Sequence, residues 1–167
     1  MIDKIILDLC GGTGAWSRPY AEAGYDVRVI TLPEYDVQTY EPPENVYGIL
    51  AAPPCEQFSF VRLTPKIPRD LNKGMELVIA CLNIIWQCQI KYKNQHQKKP
   101  PLQFWALENP YCGSLKWFLG KPQFIFQPYE FGDNYKKITA LWGDFNYPTR
   151  RAITPAGFAQ AFFEANP

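Results

Sequence analysis

Short apolar runs, closed by glycine, proline or a carboxylate, alternate along this chain with segments of helical spacing, the pattern of strands buried on both faces and linked by helices. Lys4–Leu9 is apolar around Asp8 and predicts a first strand. Ser17 is placed to cap a helix with Pro19 in its first turn and Gly24 at its end, and Asp26–Thr31 predicts a second strand. Pro33–Asn45 reads as loop with a short edge strand. Val46–Ala51 is a continuous apolar run stopped by Pro53 and Pro54, neither of which can donate to a ladder. Leu71, Met75, Val78, Leu82 and Ile85 fall at helical spacing and define the longest helix, from about Asp70 to about Tyr92, with Trp86 and Cys88 as packing residues. Gln103–Leu107 is another apolar strand, followed by Glu108-Asn109-Pro110. Leu115–Leu119 predicts a short helix. Phe124–Tyr129 and Ile138–Trp142 predict a hairpin turning through Gly132–Lys137. Thr154 and Pro155 open a last helix with Phe158, Ala161, Phe162 and Ala165 on one face. The expected fold is α/β: a Rossmann-like, mostly parallel sheet with helices on both faces and a C-terminal antiparallel hairpin.

A chain of 167 residues, 47% of them hydrophobic, predicts one domain with a real core. The net charge of +1 excludes global electrostatic capture of nucleic acid, so phosphate contacts would come from local patches. Candidates are Arg62, Lys66 and Arg69, the basic connector Lys91–Pro101, and Arg150-Arg151. The five cysteines are odd in number and form no C-x-x-C pair, and His96 is the single histidine, without an acidic neighbour. That argues against a zinc site, any other metal centre and a disulfide framework. The amino terminus lacks a signal-like segment, and the longest apolar stretch, Leu77–Cys88, is too short to span a bilayer. The expectation is a soluble, cytoplasmic protein with no membrane partner.

Three stretches carry chemistry. In Cys10-Gly11-Gly12-Thr13-Gly14-Ala15-Trp16 the glycines let the backbone turn tightly and approach a ligand. Ser17 occupies the third glycine's place of a dinucleotide fingerprint, and no Gly-Lys-Ser/Thr is present, so the loop predicts some other small polar ligand beside Asp8. Thr31 stands where an acid would hold ribose hydroxyls, with Glu34 just downstream. Cys55, just beyond a strand's carboxyl end, is either a nucleophile or a buried thiol. Glu108 repeats that placement at the next strand.

Together, Asp8–Trp16, Pro53-Pro54-Cys55-Glu56-Gln57-Phe58-Ser59 and Glu108-Asn109-Pro110 resemble the DNA cytosine-5 methyltransferases, in order and spacing, as far as about Pro110. The resemblance implies S-adenosylmethionine on a loop comprising Asp8, Cys10, Gly11, Gly12, Thr13, Gly14 and Trp16. Thr31, Asp36, Val37 and Pro53 complete that cofactor site, with Asp36-Val37 at the adenine. It implies Cys55 as the nucleophile at cytosine C6 and Glu108 as the acid at N3, with Gln57 and Asn109 in the same catalytic motifs. Pro54, Ser59, Arg62, Arg150 and Arg151 would face the substrate, DNA, whose target base must leave the duplex. A thiolate at C6 makes C5 nucleophilic, and Glu108 is expected to carry a proton until it is used. Ala52 before Pro53-Pro54, and Cys55 after, lack the amine-polarising side chain of the amino-methyltransferases. One extra residue separates Cys55 from Gln57, and only Gly143–Tyr147 separates the last strand from Pro148, leaving no room for a target-recognition domain. The expected protein is a minimal methyltransferase without its own recognition module, served by a separate recognition subunit or a homo-oligomer. RNA or a free pyrimidine nucleotide as substrate, or a non-catalytic regulatory or decoy subunit that binds S-adenosylmethionine, are the other readings.

Overall fold

The computed structural model describes residues 2–61, 68–90, 101–149 and 157–167. Strands β1 (Ile2–Leu9), β2 (Tyr25–Ile30), β3 (Val46–Ala51), β4 (Phe104–Pro110), β5 (Phe124–Phe126) and β6 (Thr139–Asp144) form one sheet in the order β2-β1-β3-β4-β6-β5. The pairs β1–β2, β1–β3 and β3–β4 are parallel, and β6 runs antiparallel to both β4 and β5. The helices are α1 (Arg18–Glu22), α2 (Leu71–Ile90), α3 (Leu115–Leu119) and α4 (Gly157–Ala165).

Strand alternation sorts the apolar side chains onto two faces. Leu7, Leu9, Ile49 and Trp142 pack with Val78, Cys81 and Ile85 of α2. Ile6, Leu50, Phe104 and Leu141 pack with Tyr20 of α1 and Phe162 of α4. Helices therefore cover both faces, as the apolar pattern predicts. The stripe that α2 buries is Gly74, Val78, Cys81, Ile85 and Cys88, joined by Ile84. Leu71 and Trp86 are instead exposed, so Trp86 is not the packing residue its position suggested. The helix turns Gly74 inward because a Cβ there would lie 2.8 Å from Gln57 Cβ and 2.9 Å from the Phe58 ring.

Three local expectations are corrected. Residues 33–45 form no edge strand: Asp36 Oδ1 accepts the Gln38 N–H at 2.9 Å and its carbonyl accepts the Thr39 N–H at 3.1 Å, which closes a turn. The strand from Phe124 ends at Phe126, because Pro128 cannot extend a ladder and Pro128–Phe131 winds into a 3-10 turn. Strand β4 continues through Glu108 and Asn109 to Pro110, since β6 supplies hydrogen-bonded partners, with Glu108 opposite Leu141. The Thr154-Pro155 start of the last helix and the Tyr92 end of the longest one lie outside the described residues.

The end of the chain is tied to the first half of the sheet. Tyr20 Oη donates to the Asn166 carbonyl at 2.9 Å and Tyr47 Oη to the Pro167 carbonyl at 2.6 Å. Asn166 and Asn146 exchange hydrogen bonds at 2.7 and 2.9 Å.

Candidate functional site

Register brings the sequence motifs together. Leu9 pairs with Ala51, and Ala51 with Leu107, so these three residues align across β1, β3 and β4. The next residues, Cys10, Ala52 and Glu108, emerge on one edge, the carboxyl edge where parallel sheets place ligands. Because β6 is antiparallel, the residues that precede it arrive at the same edge. Lys137, two residues before β6, places its Nζ 3.1 Å from Glu108 Oε1.

Cys10, Gly12 and Gly14 all have positive φ, which curls the loop after β1. A Cβ on Gly11 would lie 2.3 Å from Asp8 Cγ, so only glycine lets the loop close over that carboxyl. Asp8 is fully buried; its Oδ2 accepts the Ser17 hydroxyl at 2.6 Å, and its Oδ1 has no partner. Burial pushes the Asp8 carboxyl up to about 6, against the lowering pull of Ser17. Ser17 thus stands at the helix cap position but spends its hydroxyl on Asp8. A hydrogen bond with Cys81 holds the Cys10 thiol below its usual range, opposed by burial and by the charges of Asp8 and Asp36. Asp36 therefore lies near the glycine loop, while Val37 is buried in the α2-side core. Thr31 accepts the Tyr35 N–H at its carbonyl, just beyond β2. Thr13 is exposed.

A cavity of about 520 Å³ opens beside this loop, lined among others by Gly11, Trp16, Glu108, Tyr135, Lys137 and Phe158. Trp16 packs edge-on against Phe162 at 5.5 Å, and its buried Nε1 has no partner. A cleft of about 700 Å³ lies elsewhere, outside β2, lined by Arg28, Glu34 and Tyr40. It holds Glu34 away from Gly11 and contains none of the predicted catalytic residues, so the smaller cavity is the site that the motifs converge on.

The Cys55 loop is pinned from three sides. Asn109, buried at the end of β4, donates its Nδ2 to the Pro53 carbonyl at 2.9 Å, leaving Oδ1 without a partner. Gln57 Oε1 accepts the Asp70 N–H at 2.8 Å, which makes it a brace to the start of α2. Ser59 forms an isolated antiparallel bridge with Gly113, and its Oγ accepts the Val61 N–H at 3.3 Å. Pro53 is buried, Pro54 exposed, and Cys55 half-buried. Arg62, Arg150 and Arg151 lie outside the described residues.

Lys137 is the site residue that motif reading misses, because Gly132–Lys137 has the composition of an ordinary turn. The available signal was topological: a strand that reverses direction beside the last parallel strand must begin at the carboxyl edge. Burial alone would lower the Lys137 ammonium, but Glu108, through charge and hydrogen bond, and then Cys55, raise it above its usual range. Glu108 is ion-paired instead of standing as an isolated acid.

The cavity wall combines aromatic rings, among them Trp16, Phe126 and Phe158, with the charged groups Arg18, Glu108, Asp133 and Lys137. Trp16 Nε1 is a buried donor without a protein partner at the cavity wall, while Asp8 Oδ1, also without a partner, lies beneath the loop at Gly11. The start of α4 lines the same cavity, with Asp133 Oδ2 accepting the Phe158 N–H at 2.9 Å. Among the described residues no cluster of His, Cys, Asp and Glu is arranged to hold a metal ion, and no helix is long and apolar enough to cross a membrane.

No family model and no curated protein matches the chain. Among solved structures it is similar to a methyltransferase of Entamoeba histolytica, with a TM-score of 0.43 and 10% identity over 92% of this chain and 56% of that one. The chain thus spans little more than half the length of that protein.

Proposed function

We propose that the protein transfers a methyl group from S-adenosylmethionine to C5 of cytosine in DNA. The observation that carries this reading is the shared edge: Cys55 lies just beyond β3 and Glu108 near the end of the neighbouring parallel strand β4, where Lys137 pairs with Glu108. Asp8, the glycine loop, Trp16 and the start of α4 hold the cofactor, which when bound supplies the methyl group. Cys55 bonds through sulfur to C6 of the base, and the electron pair of the C5–C6 double bond is released toward C5. The charge that this addition moves onto the ring is met at N3 by a proton that Glu108 presents, supplied by the Lys137 ammonium paired with it. C5 would then take up the methyl group that the cofactor supplies, and loss of the C5 proton to a water molecule breaks the C6–sulfur bond and restores the thiolate. Asn109 and Gln57 hold the Cys55 loop in register for both steps.

The test is an oligonucleotide carrying 5-fluorocytosine, incubated with S-adenosylmethionine. Fluorine at C5 blocks the last elimination, so the protein should stay covalently attached through Cys55, read as an adduct mass that Cys55→Ala abolishes. If calorimetry shows cofactor bound while no adduct forms on DNA, the cytosine-C5 reading fails. An adduct on RNA alone would reassign the substrate.

A further inference from the structure

The loops that follow Cys55 and Glu108 are zipped together beyond the site. The Phe60 N–H donates to the Cys112 carbonyl at 2.9 Å, and the Ser114 N–H to the Phe58 carbonyl at 3.0 Å, on either side of the Ser59–Gly113 bridge. This zipper displays two aromatic rings outward: Phe60 is 49% and Trp117 71% exposed, with ring centroids 5.6 Å apart. Rings of this size are ordinarily buried or partnered.

Cations flank the pair in fixed positions. Arg69 donates to the Ser59 carbonyl at 2.6 Å, which holds its guanidinium 5.8 Å from the Phe60 ring centre. Lys116, one residue before Trp117, donates to the Tyr111 carbonyl at 3.2 Å and sits 4.2 Å from the Tyr111 ring. The sequence between Glu56 and Asp70 holds no carboxylate, nor does that between Glu108 and Glu130. Asp70 itself is engaged as a helix cap, accepting the Lys73 N–H at 3.0 Å.

We infer that Phe60, Trp117, Arg69 and Lys116 form a docking platform for an unpaired nucleic-acid strand, the rings stacking on bases and the cations meeting phosphates. Exposed rings joined to fixed cations match a ligand that carries a π-face and a negative charge in each unit. The cations standing beside the rings, Arg69 by Phe60 and Lys116 next to Trp117, favour a ligand that carries negative charge over an apolar protein surface. The platform rests on the nucleic-acid reading of the adjoining site. It holds the nucleotides beside the target base, since both of its loops begin at the catalytic motifs, and it supplies strand contacts where no target-recognition region intervenes between β6 and α4.

The test uses fluorescence anisotropy with a labelled thymidine oligonucleotide and an abasic strand of equal length and charge. Neither contains cytosine, so methyl transfer plays no part in the readout. Phe60→Ala and Trp117→Ala should each weaken binding of the thymidine strand about tenfold, within the range of base–aromatic stacking. The tyrosine variants at both positions should bind as the parent does. The abasic strand should bind weakly to every variant. Cofactor affinity measured on the same samples reports folding, and if an alanine variant fails to fold, the abasic comparison on the parent protein decides. Equal affinity for thymidine and abasic strands, or full affinity in the double alanine variant, overturns the platform. So does a dimer in sedimentation that Phe60→Ala dissolves, which would assign the rings to a second copy. Base-dependent binding without a 5-fluorocytosine adduct leaves the platform standing and removes the cytosine chemistry instead.

Discussion

Asn109 Nδ2 donates to the Pro53 carbonyl across 2.9 Å, so the strand that carries Glu108 holds the loop that carries Cys55. The donor is buried and the acceptor belongs to a residue that cannot itself hydrogen-bond through nitrogen. The contact is thus a fixed spacer between nucleophile and carboxylate.

Asn109→Ala should lower stability by about 1–3 kcal/mol, because it leaves the buried Pro53 carbonyl without its donor. For a chain of this size that corresponds to a melting temperature lower by ~3–8 °C. Thermal melting by circular dichroism checks this, and the 5-fluorocytosine adduct should form more slowly in the same variant. An unchanged melting temperature would show that the spacer carries no energy.

Lys137 should act on Cys55 by charge. Carboxymethylation of Cys55 by anionic iodoacetate should slow about two- to fivefold in Lys137→Met, the range of a partly exposed ion pair. Neutral iodoacetamide should be affected less. Peptide mass mapping separates Cys55 from the half-buried Cys10 and Cys112. The raised Lys137 value means that the pair's contribution is complete below the free lysine value of 10.5 and disappears as pH climbs through the higher folded value. Equal slowing with both reagents would point to altered access instead of charge.

Asp8 runs the other way from most carboxylates. Its folded value of about 6 exceeds the reference 3.8, so the folded state takes up a proton that the unfolded state releases. Stability should therefore fall as pH rises from about 4 through about 6, reaching a cost of ~3 kcal/mol at neutral pH. Asp8→Asn keeps an acceptor for Ser17 and should raise the melting temperature at neutral pH. It should also shrink the difference between melts in acid and in neutral buffer. Cofactor affinity should drop in that variant, since the Asp8 carboxyl supports the glycine loop from beneath. A variant as pH-sensitive as the parent would place the burden on another group.

Asp133 reaches across to the start of α4. Asp133→Ala should cost about 1 kcal/mol, the usual worth of an N-terminal cap, while Asp133→Asn should retain most of it. Calorimetry should show cofactor affinity falling with the alanine variant, because Phe158 and its neighbours wall the cavity. Equal affinity in both variants would separate the cap from the site.

The parallel strands were legible because a strand buried on both faces must be apolar along its length, as Lys4–Leu9 and Val46–Ala51 are apart from Asp8, whose burial is itself the anomaly. The glycine loop, Cys55 and Glu108 were legible because each interrupts such a run. Lys137 was not, since its role depends on the direction in which β6 leaves the edge, and local composition carries no direction. The stripe on α2 was read slightly off its true axis because glycine at position 74 has no hydrophobic signature, although close packing on Phe58 requires it. Gln57 was grouped with the catalytic motif by resemblance, and only coordinates reveal its bond to Asp70.

The clasp of residues 157–167 on Tyr20 and Tyr47 sets an order on how the molecule is made. Phe104 and Leu141 belong to the core that α4 completes, so an emerging chain exposes them until α4 has left the ribosome. Contacts this distant in sequence close late and slow the final collapse. Until then an oily sheet face is open to other nascent chains. Yield in expression should thus depend more on shielding that face during synthesis than on any property of the finished fold.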